Sequence, residues 1–500
     1  AADFAGLFAW DPTGFYLIGR LLSTLFSLLG LAAVWKAEKE VRPGGLPWAA
    51  LTLAVAPVMI ESSHSAKPDM AMFFFTAAGW YAALQVYRGG GRLWHWACGL
   101  ALGLAMSTQY TALAAGLVLP LAHALGRKAS PRPWRFLAEG ILAAFLGFFA
   151  GSPYILLDFP RFWEAMRDFS ALAGIREKSA AEIALGVHLN VWNFAGEGSV
   201  AGLAALVGAA SLWRRERRLM ILLVLPILAY TLSLSTHPDG SWMRYLLGCF
   251  PGIALLAGEG LALASGSGRP LSCLDRSGTP EPETPGSGRP ASCLDRSGTP
   301  EPETPGSGRG ALVLCLLLGL GPGALACVRH NAYISLQDTR TLGTEWIEKN
   351  IPSGAVLLMD YPHACPRLAM AKEQALELEE KTKAQGSPRW RLYAAMVRSH
   401  PGGGYWIHRV KRSAADLRSN PEHVRLSQAE TATLDVSAGL APARALKVAY
   451  VVTSSHGATP ERSPELRAFF TELTAKGRLL QEFDPVPGRL KGPSLRIYKL

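Results

Sequence analysis

The sequence predicts a polytopic α-helical membrane protein that carries a C-terminal α/β domain. Three observations predict it. Hydrophobic residues fill 49% of the 500 positions and charged residues only 18%, against about 25% charged in soluble chains. Mean hydropathy is +0.16 although the last third of the chain is polar, so the apolar excess lies in the first two thirds. Ten apolar stretches stand out there, many near the roughly 17–20 residues that a helix needs to cross a bilayer core. An ordinary soluble enzyme and a disordered chain are excluded. The seven cysteines sit mostly in apolar runs or in a repeat and make no disulfide framework.

The apolar stretches run 14–35, 46–61, 70–87, 93–107, 110–126, 136–157, 198–213, 219–235, 244–264 and 310–327. Their connecting loops alternate in charge. One set, from Lys36–Arg42 to the arginines of 265–310, holds 18 basic residues, and the other set holds 6. The positive-inside rule places the basic set in the cytoplasm. Ten crossings then put both ends of the chain outside. The net charge of +11 thus reads as inner loops rather than as a nucleic-acid footprint. The chain starts outside at Ala1-Ala2-Asp3, so an N-terminally truncated fragment is expected.

Residues 266–285 and 286–305 are a tandem duplication, GSGRPLSCLDRSGTPEPETP and GSGRPASCLDRSGTPEPETP. They carry too little apolar surface to offset the entropy of ordering. The segment 265–310 is expected to be a disordered cytoplasmic insert. Cys273 and Cys293, one per copy, are a weak basis for a metal site.

The first domain is therefore assigned to 1–327 and the second to 328–500. In the second, 338–350 (DTRTLGTEWIEKN) and 370–399 read as helices. AVLLMD (355–360), GYWIHRV (404–410), KVAYVVTSS (447–455), LLQEFDP and SLRIYKL read as strands. Ser463 is expected to cap a helix that opens with Pro464. No nucleophile elbow, phosphate loop or metal cluster is visible in this domain, which parity places outside the membrane.

Ionisable groups within or at the ends of membrane helices are costly and are therefore functional candidates. The sharpest group is ESSHSAKPD, with Glu61, His64, Lys67 and Asp69 in one short outer loop. Asp69 opens the next helix, where a carboxylate is stabilised as the anion. Such a wet pocket offers a carboxylate as base or metal ligand and a lysine to neutralise a phosphate. A hydrated loop with a helix cap is the plainer alternative. Arg20, near the outer end of the first helix, either snorkels or binds an anion. Arg244 and Tyr245 open the ninth helix with His237 and Asp239 close by. They either complete an anion site or anchor lipid headgroups. The Ser107–Tyr110 turn reads as a hairpin. FPRFWEAMRDF in 158–197 reads as an interfacial amphipathic helix. No cofactor is certain, and a divalent metal is left open.

Taken together, these residues resemble a known family. The motifs are DPTGFYLIGRLLS, HSAKPDMAMFFF, GLALGLAMSTQYTAL, GSPYILLDFPRFW, RYLLGCFPGIALLAG and DTRTLGTEWIEKNIPSG, with a tail ending GPSLRIYKL. The chain resembles bacterial membrane glycosyltransferases of the GT-C fold, in the protein O-mannosyltransferase and aminoarabinose-transferase group (families 39 and 83). The resemblance covers most of the chain outside the repeat. It implies a multi-pass protein of the bacterial plasma (inner) membrane with an extracytoplasmic C-terminal domain. It also implies an inverting transfer of a sugar from a polyprenyl-phosphate carrier to a lipid, glycan or protein acceptor on the outer face.

The family's principal carboxylate lies in a loop that would precede residue 1, which leaves the activity of the chain as given open. Asp69 matches the second acidic position of the family. Arg20, Arg244 and Tyr245 match positions expected near the donor phosphate. Gln109 stands where the family commonly has lysine. Two other readings remain: a transporter or flippase of an anionic lipid-linked sugar, and a non-catalytic membrane scaffold. No nucleic-acid partner is expected.

Overall fold

The computed structural model describes residues 2–126, 133–172, 178–237, 242–266, 307–360, 363–411, 431–457, 459 and 463–500. The tandem repeat, with Cys273 and Cys293, and Asp239 lie outside the described residues. The chain divides into two compact units. One comprises Leu17–Arg167 and Arg176–His330; the other comprises Ala1–Tyr16, Asp168–Ile175 and Asn331–Leu500.

The helices run in chain order as α1 (Ala2–Trp10), α2 (Thr13–Val41), α3 (Trp48–Ala54), α4 (Pro57–Ser63), α5 (Asp69–Tyr87), α6 (Arg92–Thr108), α7 (Val118–Leu125), α8 (Trp134–Gly151), α9 (Tyr154–Leu157), α10 (Phe159–Leu172), α11 (Ala180–Trp192), α12 (Ala201–Arg215), α13 (Arg217–Ser235), α14 (Phe250–Ala264), α15 (Ser307–Cys315) and α16 (Gly321–Ile334). The protein is a polytopic helical membrane protein. Among the described residues, four helical stretches are each long and apolar enough to cross a bilayer: Thr13–Val41, Trp134–Gly151, Arg217–Ser235 and Gly310–Ile334.

Several of the other apolar stretches are broken. The 46–61 stretch is two short helices, with Pro57 restarting the second, because proline cannot continue a helix from the preceding turn. The 110–126 and 244–264 stretches each begin as a 3₁₀ segment, Tyr110–Leu117 and Met243–Gly248, before turning α-helical.

Helix α2 shows which solvent surrounds this unit. Its buried face is small or polar and includes Ser23, Ser27, Gly30, Ala33 and Ala37. Its large side chains Leu17, Ile18, Leu21, Leu25 and Leu28 are exposed. Water would penalise that arrangement, whereas lipid favours it, since small residues let membrane helices approach closely. The same device joins α6 to α8. A Cβ on Gly99 or Gly103 would run into the carbonyl oxygens of Gly140 and Ala144. Between α12 and α14, Gly208 and Gly260 meet the carbonyls of Leu256 and Ala204 in the same way.

The α/β unit continues with β1 (Gln337–Asp338), α17 (Thr339–Asn350), β2 (Val356–Met359), α18 (Lys372–Ala384), α19 (Trp390–Arg398), β3 (Trp406–Val410), β4 (Thr433–Leu434), α20 (Ala441–Ala445), β5 (Tyr450–Ser454), α21 (Arg467–Lys476), β6 (Arg478–Phe483), β7 (Leu490–Lys491) and β8 (Leu495–Lys499). Six strands form one sheet in the order β4-β3-β2-β5-β8-β6. The first four are parallel, with Leu358 beside both His408 and Val451. Strand β8 runs antiparallel between β5 and β6. Strands β1 and β7 pair separately.

Two sequence expectations need correction here. The 370–399 stretch is two helices, because Gly386 takes a left-handed φ of +67° and Pro388 follows it; glycine ends helices in this conformation. Ser463 makes no side-chain cap and heads a short 3₁₀ turn, Pro464–Leu466, so the helix starts at Arg467. Helix α1 groups with the α/β unit. Gly6 of α1 lies so close to Ser399 that a Cβ there would overlap its side chain.

Candidate functional site at the 69–109–244 junction

Sequence reasoning places Asp69 and Arg244 in separate loops. The helical unit brings them together. Asp69 is the first residue of α5 and is 2% exposed. Its carboxylate interacts electrostatically with Arg244 and Lys67 and lies 3.4 Å from the Gln109 side-chain nitrogen. Two turns far apart in sequence therefore meet at Asp69 and Gln109, within electrostatic reach of Arg244.

The Asp69 loop is held by α2. The Ser23 hydroxyl donates to the Ser65 carbonyl (2.7 Å) and the Thr24 hydroxyl to the Ser63 carbonyl (3.1 Å). Gly19 permits close approach of Ala66. Arg20 lies on this turn of α2, its backbone carbonyl accepting from Thr24 (3.0 Å), while its side chain is exposed. Glu61, His64 and Lys67 are also exposed. The His64 Nδ1 is tied to the Ile60 carbonyl at 2.8 Å. Of the predicted loop group, Asp69 alone is buried.

The Arg244 side is equally fixed. The buried Tyr230 of α13 donates its hydroxyl to the Tyr245 carbonyl at 2.9 Å. Arg244 Nη2 donates to the Tyr245 hydroxyl (3.0 Å). Its guanidinium lies 4.8 Å from the Tyr245 ring centroid and 5.3 Å from that of Trp242, a cation–π clamp. The His237 and Tyr245 rings are 6.1 Å apart. Arg244 Nε is buried with no acceptor among the described residues. The site thus holds an oriented cation with a spare N–H and, within electrostatic reach of it, a buried carboxylate.

Sequence reasoning reads the Gln109 turn as a hairpin and, by resemblance, as the place of a family lysine; its contact with Asp69 is new. The available signal was a polar run, Ser107–Gln109, ending an apolar helix. Tyr110, the next residue, helps to line an apolar groove of about 540 Å³ with Leu113, Phe148 and Phe162.

A second buried polar cluster was missed. Glu259 of α14 is 2% exposed and Arg42 is 7% exposed. Glu259 pairs with Arg42 at 3.3 Å and with Arg215, and it accepts from Ser211 at 3.2 Å. Glu38 accepts from the Ala49 amide at 2.9 Å. Glu259 interrupts the run LLAGEGLALA, where an acid stands out. Nearby in sequence terms to neither cluster, His95 and His123 share a buried hydrogen bond of 3.0 Å.

Among the described residues, no group of three or more His, Cys, Asp or Glu side chains is placed to hold a metal ion. In the α/β unit, burial raises the Cys365 thiol well above its ordinary range, which keeps it protonated and unreactive.

No family model and no curated protein matches the chain. Among solved structures, it is similar to the crystal structure of ArnT from Cupriavidus metallidurans bound to undecaprenyl phosphate. The TM-score is 0.49 at 14% identity, covering 99% of this chain and 87% of that one. It is also similar to the apo state of the same protein, with TM-score 0.46 and 14% identity, covering 96% of this chain and 83% of that one.

Proposed function

We propose that this protein is a membrane glycosyltransferase that moves a sugar from a polyprenyl-phosphate-linked donor to a lipid, glycan or protein acceptor. The observation that carries the reading is the junction of Asp69, Gln109 and Arg244. A buried carboxylate and an oriented guanidinium are the two groups such a transfer needs. The guanidinium meets the charge that develops on the departing phosphate. The carboxylate orients the acceptor hydroxyl and takes its proton as the new glycosidic bond forms. Attack from the face opposite the leaving phosphate inverts the anomeric centre. Lys67 adds a second cation, and the apolar groove beside Tyr110 suits the isoprenoid chain.

The finer topology belongs to the same proposal. Ten crossings of a bacterial plasma membrane put the 69–109–244 junction and the α/β unit on the outer face. The 18 basic residues of the alternate loops support this orientation. The test is reconstitution in proteoliposomes with a labelled polyprenyl-phosphate sugar. Sugar incorporated into an acceptor, with release of polyprenyl phosphate, supports transfer. Movement of the donor across the bilayer without product supports a transporter instead.

A further inference from the structure

The α/β unit contains a half-enclosed cavity of about 610 Å³ lined by residues of α1, α17, α19 and β3, a volume within the ~300–1,000 Å³ of small-molecule sites. Trp10 and the buried Tyr393 supply aromatic surface to it. Asp11 and Glu348 supply two carboxylates, and Arg367 and Arg409 two guanidinium groups.

Trp10 is fixed from two sides. Its ring meets His400 edge-on, with centroids 4.8 Å apart. Arg367 Nη2 donates to the carbonyls of Ala9 and Trp10 at 2.8 and 3.4 Å, a cation placed at the C-terminus of α1. Yet Trp10 Nε1 is buried with no acceptor among the described residues. A buried donor left unpaired is costly, so an occupant that accepts from it is favoured.

The lining selects the kind of occupant. An anion would face Asp11 and Glu348, and a cation would face Arg367 and Arg409. Both guanidinium groups are also partly committed: Arg367 holds α1, and Arg409 Nη1 donates to the Asp360 carbonyl at 2.9 Å. An uncharged molecule that donates and accepts several hydrogen bonds, and has an apolar face for an aromatic ring, matches all of these groups. A sugar ring has that character: its hydroxyls do both, and its axial C–H face is apolar. We propose that the cavity bounded by Trp10, Tyr393, Glu348 and Arg409 binds an uncharged saccharide of one or two rings. This rests on residues of the α/β unit alone and is independent of the transfer reading.

The experiment is calorimetric titration of the full chain in lipid nanodiscs. The probes are free hexoses, N-acetylhexosamines and their disaccharides, with glucuronate and inorganic phosphate as charged comparators. The expected result is saturable binding of an uncharged saccharide. Trp10→Phe, which keeps the ring and removes the N–H, weakens it about tenfold, as does Glu348→Gln at an exposed position that leaves thermal unfolding unchanged. The proposal is overturned if no uncharged saccharide binds, if both variants bind as wild type does, or if only the charged comparators bind.

Discussion

The side-chain nitrogen of Gln109 lies 3.4 Å from Oδ1 of Asp69, tying the turn after α6 to the first residue of α5. Gln109 Oε1 is buried without a donor among the described residues. Gln109→Leu therefore removes this hydrogen bond to Asp69 and also an unsatisfied carbonyl. Sugar transfer is expected to fall about 3–10-fold, the range of one hydrogen bond of roughly 1 kcal/mol. Thermal stability is expected to hold or rise. A parallel loss of both would show that Gln109 serves packing instead.

Glu259, buried in the helical unit, neutralises the buried Arg42 and the exposed Arg215. Removing one partner of a buried ion pair leaves uncompensated charge and typically costs about 3–5 kcal/mol. Glu259→Ala is expected to lower the unfolding midpoint strongly. Replacing Arg42, Arg215 and Glu259 together with apolar residues of similar volume is expected to recover most of that loss. Unfolding in nanodiscs followed by circular dichroism reads both.

The helix pairs packed through glycine have no room for a side chain. Gly208→Ala directs a methyl at the Leu256 carbonyl of α14. Forcing atoms into a packed contact costs about 1–3 kcal/mol, so a lower midpoint is expected. Gly310→Ala, where a Cβ meets nothing within 4 Å, serves as the control and is expected to behave as wild type.

The α/β unit gives a pH prediction. Burial alone would raise the Asp338 carboxyl, but hydrogen bonds from the Arg340 side chain and amide, and the Arg340 charge, hold it below its ordinary 3.8. Arg340 Nε and Nη2 reach its two oxygens at 2.8 and 2.7 Å. A carboxyl whose folded pKa is depressed contributes stability above its unfolded pKa, and loses it as pH falls through the folded value. Asp338→Asn keeps a helix cap but not the charge. Wild type is expected to exceed the variant in stability near neutral pH, and the gap to close as pH falls below 3.8. A gap independent of pH would contradict the assignment.

What was legible in the sequence followed from periodicity and composition. Apolar runs and alternating loop charge pointed to the helical unit, and the five longer strands of the tail fell on its short apolar runs, while the two-residue strands β1, β4 and β7 had no such signal. The breaks were harder to read. Pro57 and Pro388 are visible in the sequence, but a 3₁₀ start at Tyr110 or Met243 is set by packing. The close helix contacts had a signal in Gly99 and Gly103, four residues apart, which hydropathy alone overlooks. At the candidate site, Asp69 and Arg244 were each conspicuous as charges beside apolar helices. Their belonging to one site came only from the resemblance, because spacing along the chain carries no distance across it. Gln109 is neutral and stood out only by the resemblance, and Glu259 lies inside an apolar run, so it did not register among loop charges. The cavity at Trp10 combines residues more than four hundred positions apart, beyond any local pattern.

The most direct test of the central claim is single-turnover transfer from a labelled polyprenyl-phosphate sugar by wild type, Asp69→Asn and Arg244→Ala in nanodiscs. Donor binding is measured on the same samples. Asp69→Asn is expected to bind donor normally and to lose about 100-fold or more in the transfer step, within the range for a positioned acid–base group. Arg244→Ala is expected to lose both donor affinity and rate. Unchanged turnover in both variants would contradict the assignment of this junction as the site of transfer.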